Sequence, residues 1–237
     1  MATTINKQRL LNHVFATAKK TVEVDEDARP VVQQFIYGLC RENATREQAE
    51  EAYRFLCERF FDWNEIRVSS LRELEEAFAG ISDAEMKAQR LIAFLQEVFE
   101  IHFSFDLDKL QKEGLKQAAK KLSRYQAAND YIVSWVVQRS LGGHAIPVDA
   151  PTLRCTTRLG LIENEQDEAD ARATLEHLIP KAKGALFTEG ISMIADDYCW
   201  EEQPQCSACP LSADCNHAQE NGIDAVSVSR SHRAKPR

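Results

Sequence analysis

Residues 199–215 read CWEEQPQCSACPLSADC, four cysteines (Cys199, Cys206, Cys209 and Cys215) spaced C-x6-C-x2-C-x5-C. Thiolates this close in sequence can wrap one metal centre, because short loops cost little entropy to close. A structural zinc site usually pairs two short C-x2–4-C knuckles across a longer gap. Here one such knuckle is flanked by longer spans, which better suits a [4Fe–4S] cluster with one thiolate per iron. Zinc is the second reading, and unconnected thiols or two disulfides the third. The remaining cysteines, Cys40, Cys57 and Cys155, stand apart and read as small core residues, not as a secreted disulfide framework.

Upstream lies GGHAIPVDAPTLRCTTRLGLI (142–162), and further back AGISDAEMKAQRLIAFLQEVFE (79–100). Together with the cysteine spacing, these resemble the endonuclease III family of helix-hairpin-helix DNA glycosylases. The matching features are Val-Asp-x-x-x-x-Arg followed by Arg-Leu-Gly-Leu, the Gly-Ile and Lys-Ala elements, and Asp149 lying 50 residues before Cys199. The resemblance covers roughly residues 79–215 and is patchy. It implies an all-α fold of two domains. A six-helix domain with a degenerate hairpin would span 36–142, and 1–35 plus 143–225 would form the helical iron–sulfur cluster domain. Residues 226–237 would be a basic tail, expected to be disordered.

Within that resemblance Asp149 takes the place of the catalytic aspartate. Breaking an N-glycosidic bond builds positive charge on the sugar, so a carboxylate beside the anomeric carbon stabilises the transition state and can orient the attacking water. Asp149 also precedes Ala-Pro, where aspartate commonly caps a helix, and both roles can coexist. Bifunctional members carry a lysine that attacks the sugar as a Schiff-base nucleophile. An ungapped count places Tyr131 there, and a phenol cannot form an imine. Tyr131 thus implies a monofunctional enzyme, as in the mismatch-specific thymine glycosylases of the superfamily. The plainer reading is a tyrosine at the start of a buried helix.

Three departures fall on the side expected to face DNA. The equivalent of the Leu-Pro-Gly-x-Gly hairpin is LSRYQAAND (122–130), without a glycine to let backbone amides approach a phosphate. Asn129 can tolerate a left-handed turn in its place, but the anion site is degraded. Glu201 and Glu202 sit in the cysteine loop, and Ala150-Pro151 follow Asp149. A catalytically degenerate iron–sulfur homologue that binds DNA or a protein partner is therefore the alternative function.

The net charge is −8, but basic residues cluster in 1–22, 109–124 and 226–237. Double-stranded DNA is the expected partner, bound weakly or in a salt-sensitive way. Lys109, Lys112, Lys116 and Lys120 step by 3, 4 and 4, so a helix over 108–122 would carry all four on one face, with Arg124 and Asn129 following. A solvated face explains such a stripe equally well. Trp63 is either a wedge for the gap left by a flipped base or a core residue beside Phe60 and Phe61.

The periodicity reads as helical throughout. It predicts caps at Thr45 and Ser70, and a helix after Asp83 burying Met86, Leu91, Leu95, Val98 and Phe99. No run is long enough to span a membrane and no secretory signal is evident, so a monomer in a bacterial-type cytoplasm, associated with the nucleoid, is expected.

Overall fold

The computed structural model describes residues 3–24, 29–163 and 167–223. The basic tail and part of the acidic stretch 163–170 lie outside them. All regular structure in the described residues is helical, and none of those helices is long and apolar enough to cross a membrane.

The first apolar core gathers around α2 (Val31–Arg41), which is buried along nearly every position. A helix apolar on all sides belongs in the middle of a bundle. Phe35 stacks on Phe94, with ring centroids 3.7 Å apart. A Cβ at Gly38 would stand 3.0 Å from the Trp135 ring, so glycine lets α8 (Asp130–Arg139) pack against α2. Both ends of α2 are met from far along the chain. The Val31 N–H donates to Asp108 at 2.8 Å. The buried Lys87 ammonium donates to the Leu39 and Glu42 carbonyls, both at 2.6 Å. A cation at a helix C-terminus satisfies orphan carbonyls and the helix dipole together.

Around α2 pack α3 (Arg46–Arg59), α4 (Trp63–Val68), α5 (Leu71–Glu75), α6 (Ala84–His102) and α7 (Leu115–Leu122). Thr45 with Gln48 and Ser70 with Glu73 form reciprocal capping boxes, as their spacing predicts. Trp63 packs into this core near Tyr53 and is not a free wedge. The expectation for α6 needs correcting at two positions. Met86 is 56 % exposed and Phe99 only half-buried, while Phe94 is buried, because the inward stripe runs through Ala88, Leu91, Phe94, Leu95 and Val98.

The lysine helix over 108–122 is also corrected. Asp108–Lys112 form a 3-10 turn, Glu113 and Gly114 are extended, and α7 starts only at Leu115. Lys116 and Lys120 share a face, but Lys109 and Lys112 belong to another element. Asn129 is extended (φ −140°), not left-handed, and its side chain caps α8 by accepting from Ile132 N–H at 3.0 Å.

The second core joins α1 (Thr3–Thr21) to the C-terminal elements α9 (Ala150–Leu159), α10 (Glu168–Leu178), α11 (Gly184–Asp197) and α12 (Asn216–Glu220). Its helices approach closely through small residues. A Cβ at Gly190 would lie 2.6 Å from the Ala18 Cβ, so α1 seats against α11 only with glycine there. Gly160 ends α9 at φ +85°, with the Asn216 side chain where a Cβ would stand.

Candidate functional site

Asp149 is the N-cap of α9 and lies buried at the junction of the two cores. Its Oδ1 accepts from Thr152 N–H at 3.0 Å and its Oδ2 from Asn43 N–H at 3.1 Å. The Asn43 side chain answers by accepting from Ala150 N–H at 3.1 Å. Asn43 takes positive φ (51°), which turns the chain beyond α2 back onto Asp149. Asparagine tolerates that conformation better than most residues. The carboxylate is thus held by one bond from its own helix and one from the other core.

Tyr131, in the first turn of α8, is buried in the same neighbourhood. Burial first, and then the negative charge of Asp149, push its hydroxyl well above the usual range for a phenol, while Arg41 pulls the other way. The two residues singled out from sequence are therefore electrostatic neighbours. Arg41 joins them and was given no role by the sequence. It is 4 % exposed at the end of α2, and its guanidinium donates to the Ala44 carbonyl and the Ser192 hydroxyl. Burial works against its charge, but Tyr131, Glu189, Asp196 and Asp149 outweigh that. Arg139 of α8 forms an ion pair with Glu189 of α11, both deeply buried. An isolated pair of this kind costs desolvation, so buried charges concentrated beside a candidate catalytic group point to a site.

Asp196 shows the same crowding. Burial, opposed by Arg41 and assisted by Asp149, raises its carboxyl to about 6. A group raised above its unfolded value favours the fold below the unfolded pKa, near 4, and loses that contribution as pH rises through 6. Asp196→Asn should therefore be more stable than the parent at pH 7, on the order of 1–3 kcal/mol, with the gain vanishing near pH 4. Thermal melts across pH 4–8 check this, and a pH-independent difference would contradict it.

The four loop cysteines ring a small cavity of about 20 Å³ with Leu159 and Ile194. Among the described residues, no three His, Cys, Asp or Glu side chains close on one point at single-ion distance. Two arginines of α9 fasten the loop. Arg154 Nε donates to the Cys199 carbonyl at 2.9 Å, and Arg158 donates to the Trp200 and Glu201 carbonyls at 2.5 and 2.9 Å. The helix capped by Asp149 thus also carries the clamps for the cysteine loop. One of the isolated cysteines departs from expectation, since Cys57 is exposed; Cys155 is buried in the second core, where it also lines the loop cavity. A hydrogen bond from Cys155, against burial and with help from Arg158, brings the Cys199 thiol down to about 6.

Lys109, Lys112, Lys116, Lys120 and Arg124 are exposed. Lys109 and Arg124 flank a cavity of about 370 Å³ beside His102 and Tyr125, away from Asp149. The Asn129 amide donates to Glu42, which also pairs with Arg90 at 2.7 Å, so it is already engaged.

No protein-family model matches the chain. A non-covalent endonuclease III–DNA complex superposes with a TM-score of 0.71 at 19 % identity, covering 92 % of this chain and 99 % of the other. A thermostable thymine-DNA glycosylase gives 0.67 at 16 %, covering 93 % and 100 %. The fold is that of endonuclease III and the related helix-hairpin-helix DNA glycosylases. In sequence, the chain is a distant relative of the Arabidopsis thaliana DNA glycosylase/AP lyase ROS1, with 24 % identity over 173 residues, and of DEMETER-like protein 2 from the same plant, with 25 %. Those matches take in 66 % of this chain but only 12 % and 13 % of the relatives' length.

Proposed function

We propose that this chain is a base-excision DNA glycosylase that hydrolyses the N-glycosidic bond of a damaged or mismatched base without cutting the strand. The observation that carries this is Asp149, locked at the head of α9 by Thr152 and Asn43 with Tyr131 as its electrostatic neighbour, in a fold shared with glycosylases. Asp149 holds and polarises the attacking water and stabilises the oxocarbenium-like sugar. Tyr131 lines the base pocket and cannot form the imine a lyase needs. The first core begins at Val31, so a domain boundary at 36 would cut α2, and we place the site where Asp149 lies between the two cores, as binding sites often lie between domains.

Cys199, Cys206, Cys209 and Cys215 would hold a [4Fe–4S] cluster, and their all-sulfur donor set fits it. The cluster supplies structural anchorage for a loop that α9 already grips through Arg154 and Arg158. Duplex DNA would run past Lys116, Lys120 and Arg124, with a marked dependence on salt. The non-catalytic reading draws support from the acidic surroundings of Asp149. Glu168 is raised by burial and by Asp149, Glu42 and Asp130, a crowd of carboxylates that repels phosphate.

Single-turnover excision at low salt on T:G, U:G, oxidised-pyrimidine and A:oxidised-G duplexes tests this, each sample split for hot alkali. Scission only after alkali is expected. Scission without alkali would overturn the monofunctional assignment, and none in either half would favour the non-catalytic reading.

A further inference from the structure

We propose that the cavity beside the end of α6 is a docking site for a protein partner, which inserts an apolar side chain there and sets acidic residues against Lys109 and Arg124. The site contains neither Asp149 nor Tyr131 nor any part of the cysteine loop, so the inference goes beyond the glycosylase reading and does not depend on it. Arg124 is the one residue it shares with the proposed path of the duplex. The cavity, about 370 Å³, opens between α6, the 3-10 turn at Asp108–Lys112 and α7. Leu107, Leu110 and Tyr125 line its floor and belong to the first core, while Ile101 lines its mouth and is 62 % exposed. The wall it shows to solvent is mostly apolar. A contiguous apolar concavity left open on a protein surface marks a place where something binds.

The polar groups around the cavity sort into engaged and unengaged. Glu97 accepts from Gln126 N–H and Asp106 from Asp108 N–H, both at 2.8 Å. Glu113 pairs with Lys121 at 2.5 Å, and His102 and Tyr125 are hydrogen-bonded to each other at 3.1 Å. Among the described residues, no side-chain partner meets Lys109 or Arg124, and both are exposed. The charges left to greet a ligand are therefore cations, on a segment where Lys109, Lys112, Lys116, Lys120, Lys121 and Arg124 face only Glu113. These features select the occupant. Duplex DNA offers phosphates to the cations but projects no apolar group into a cavity. A small apolar molecule would fill the cavity and leave Ile101 in water. A peptide does both, with one aliphatic or aromatic side chain as its anchor, its chain passing over Ile101 and its carboxylates at Lys109 and Arg124. The desolvated anchor supplies most of the affinity of such a contact, and the rim charges steer association and set specificity.

The test uses the full-length protein loaded with its cluster. Random peptides displayed on phage are selected on wild type and counter-selected on Ile101→Glu, which plants a carboxylate at the mouth of the cavity. The survivors should share an apolar anchor flanked by acidic residues. A synthetic peptide of that consensus should bind Ile101→Glu at least about tenfold, and Lys109→Glu at least about threefold, more weakly than wild type. Both positions are exposed, so both variants should melt with the parent, and Lys109→Glu still reads the site if Ile101→Glu does not fold. Survivors that lack an anchor, or that are basic, overturn the proposal, as does a selection that yields none. An undamaged duplex tests the other macromolecule. If Ile101→Glu loses duplex affinity by the same factor as peptide affinity, the face belongs to DNA and the proposal falls, whereas unchanged duplex affinity supports a protein partner.

Discussion

Asp149→Asn should lower single-turnover excision by about 10²–10⁴-fold, with the affinity for duplex changed by less than about twofold. The size follows from what asparagine keeps and what it loses. Its side-chain oxygen can still accept from Thr152 N–H, and asparagine caps helices about as well as aspartate, so α9 should start at the same residue. The negative charge is gone, and an amide –NH2 replaces the oxygen that accepts from Asn43 N–H. A neutral amide can neither stabilise an oxocarbenium-like sugar nor take a proton from water, and both losses fall on the transition state alone. A fall in rate without a fall in affinity is the signature of an interaction made only there. Asp149→Ala makes the complementary point. It removes the cap and the acceptor for Asn43 N–H, so it should cost about 1–2 kcal/mol of stability as well as activity. Equal excision by parent and Asn variant would move the catalytic role elsewhere. A parent that excises nothing would leave Asp149 as a helix cap joining two cores.

Much of the fold is legible in local chemistry. Thr45 with Gln48 and Ser70 with Glu73 show their helix starts in the spacing of donors and acceptors. Asp149 before Ala-Pro shows its own. What local chemistry hides is set by distant partners. Lys87 looks like a surface lysine beside an alanine, yet it closes the end of α2 from 48 residues away. Arg41 looks like an ordinary basic residue in a last helical turn. Its burial depends on Ser192, 151 residues on, and no periodicity reports that contact. The lysine stripe failed for a local reason that was visible, since Gly114 interrupts the helical pattern and the chain breaks there. Asn129 is a residue that tolerates a left-handed turn where glycine is missing. The hairpin instead closes without positive φ among residues 123–129, and Asn129 serves as a cap.

Cys209→Ser should abolish stoichiometric iron and sulfide and lower the melting temperature by about 10 °C, the equivalent of about 3–5 kcal/mol for a chain of this size. Cys206, Cys209 and Cys199 pack half-buried against the second core, where Leu211 and Cys215 are buried outright. Apart from Leu211, the loop side chains that join that core are all cysteines, so little apolar bulk holds the segment without a metal centre. The clamps from Arg154 and Arg158 reach backbone carbonyls at positions 199–201, and Asp214 at the far end is held from α1 by Arg9 and His13 at 3.0 and 2.8 Å. Cys57→Ser is the control, since that thiol is exposed and outside the loop, and should leave iron and melting unchanged. Cys155→Ser separates a ligand from a neighbour. It touches Cys199 from within the cavity and should keep the full iron content, while altering the absorption or potential of the centre. Zinc in place of iron in the purified parent would overturn the cluster assignment. Iron present but indifferent to Cys209→Ser would place it somewhere other than this loop. Iron lost with melting unmoved would leave the cysteines as ligands of a centre that the fold does not need.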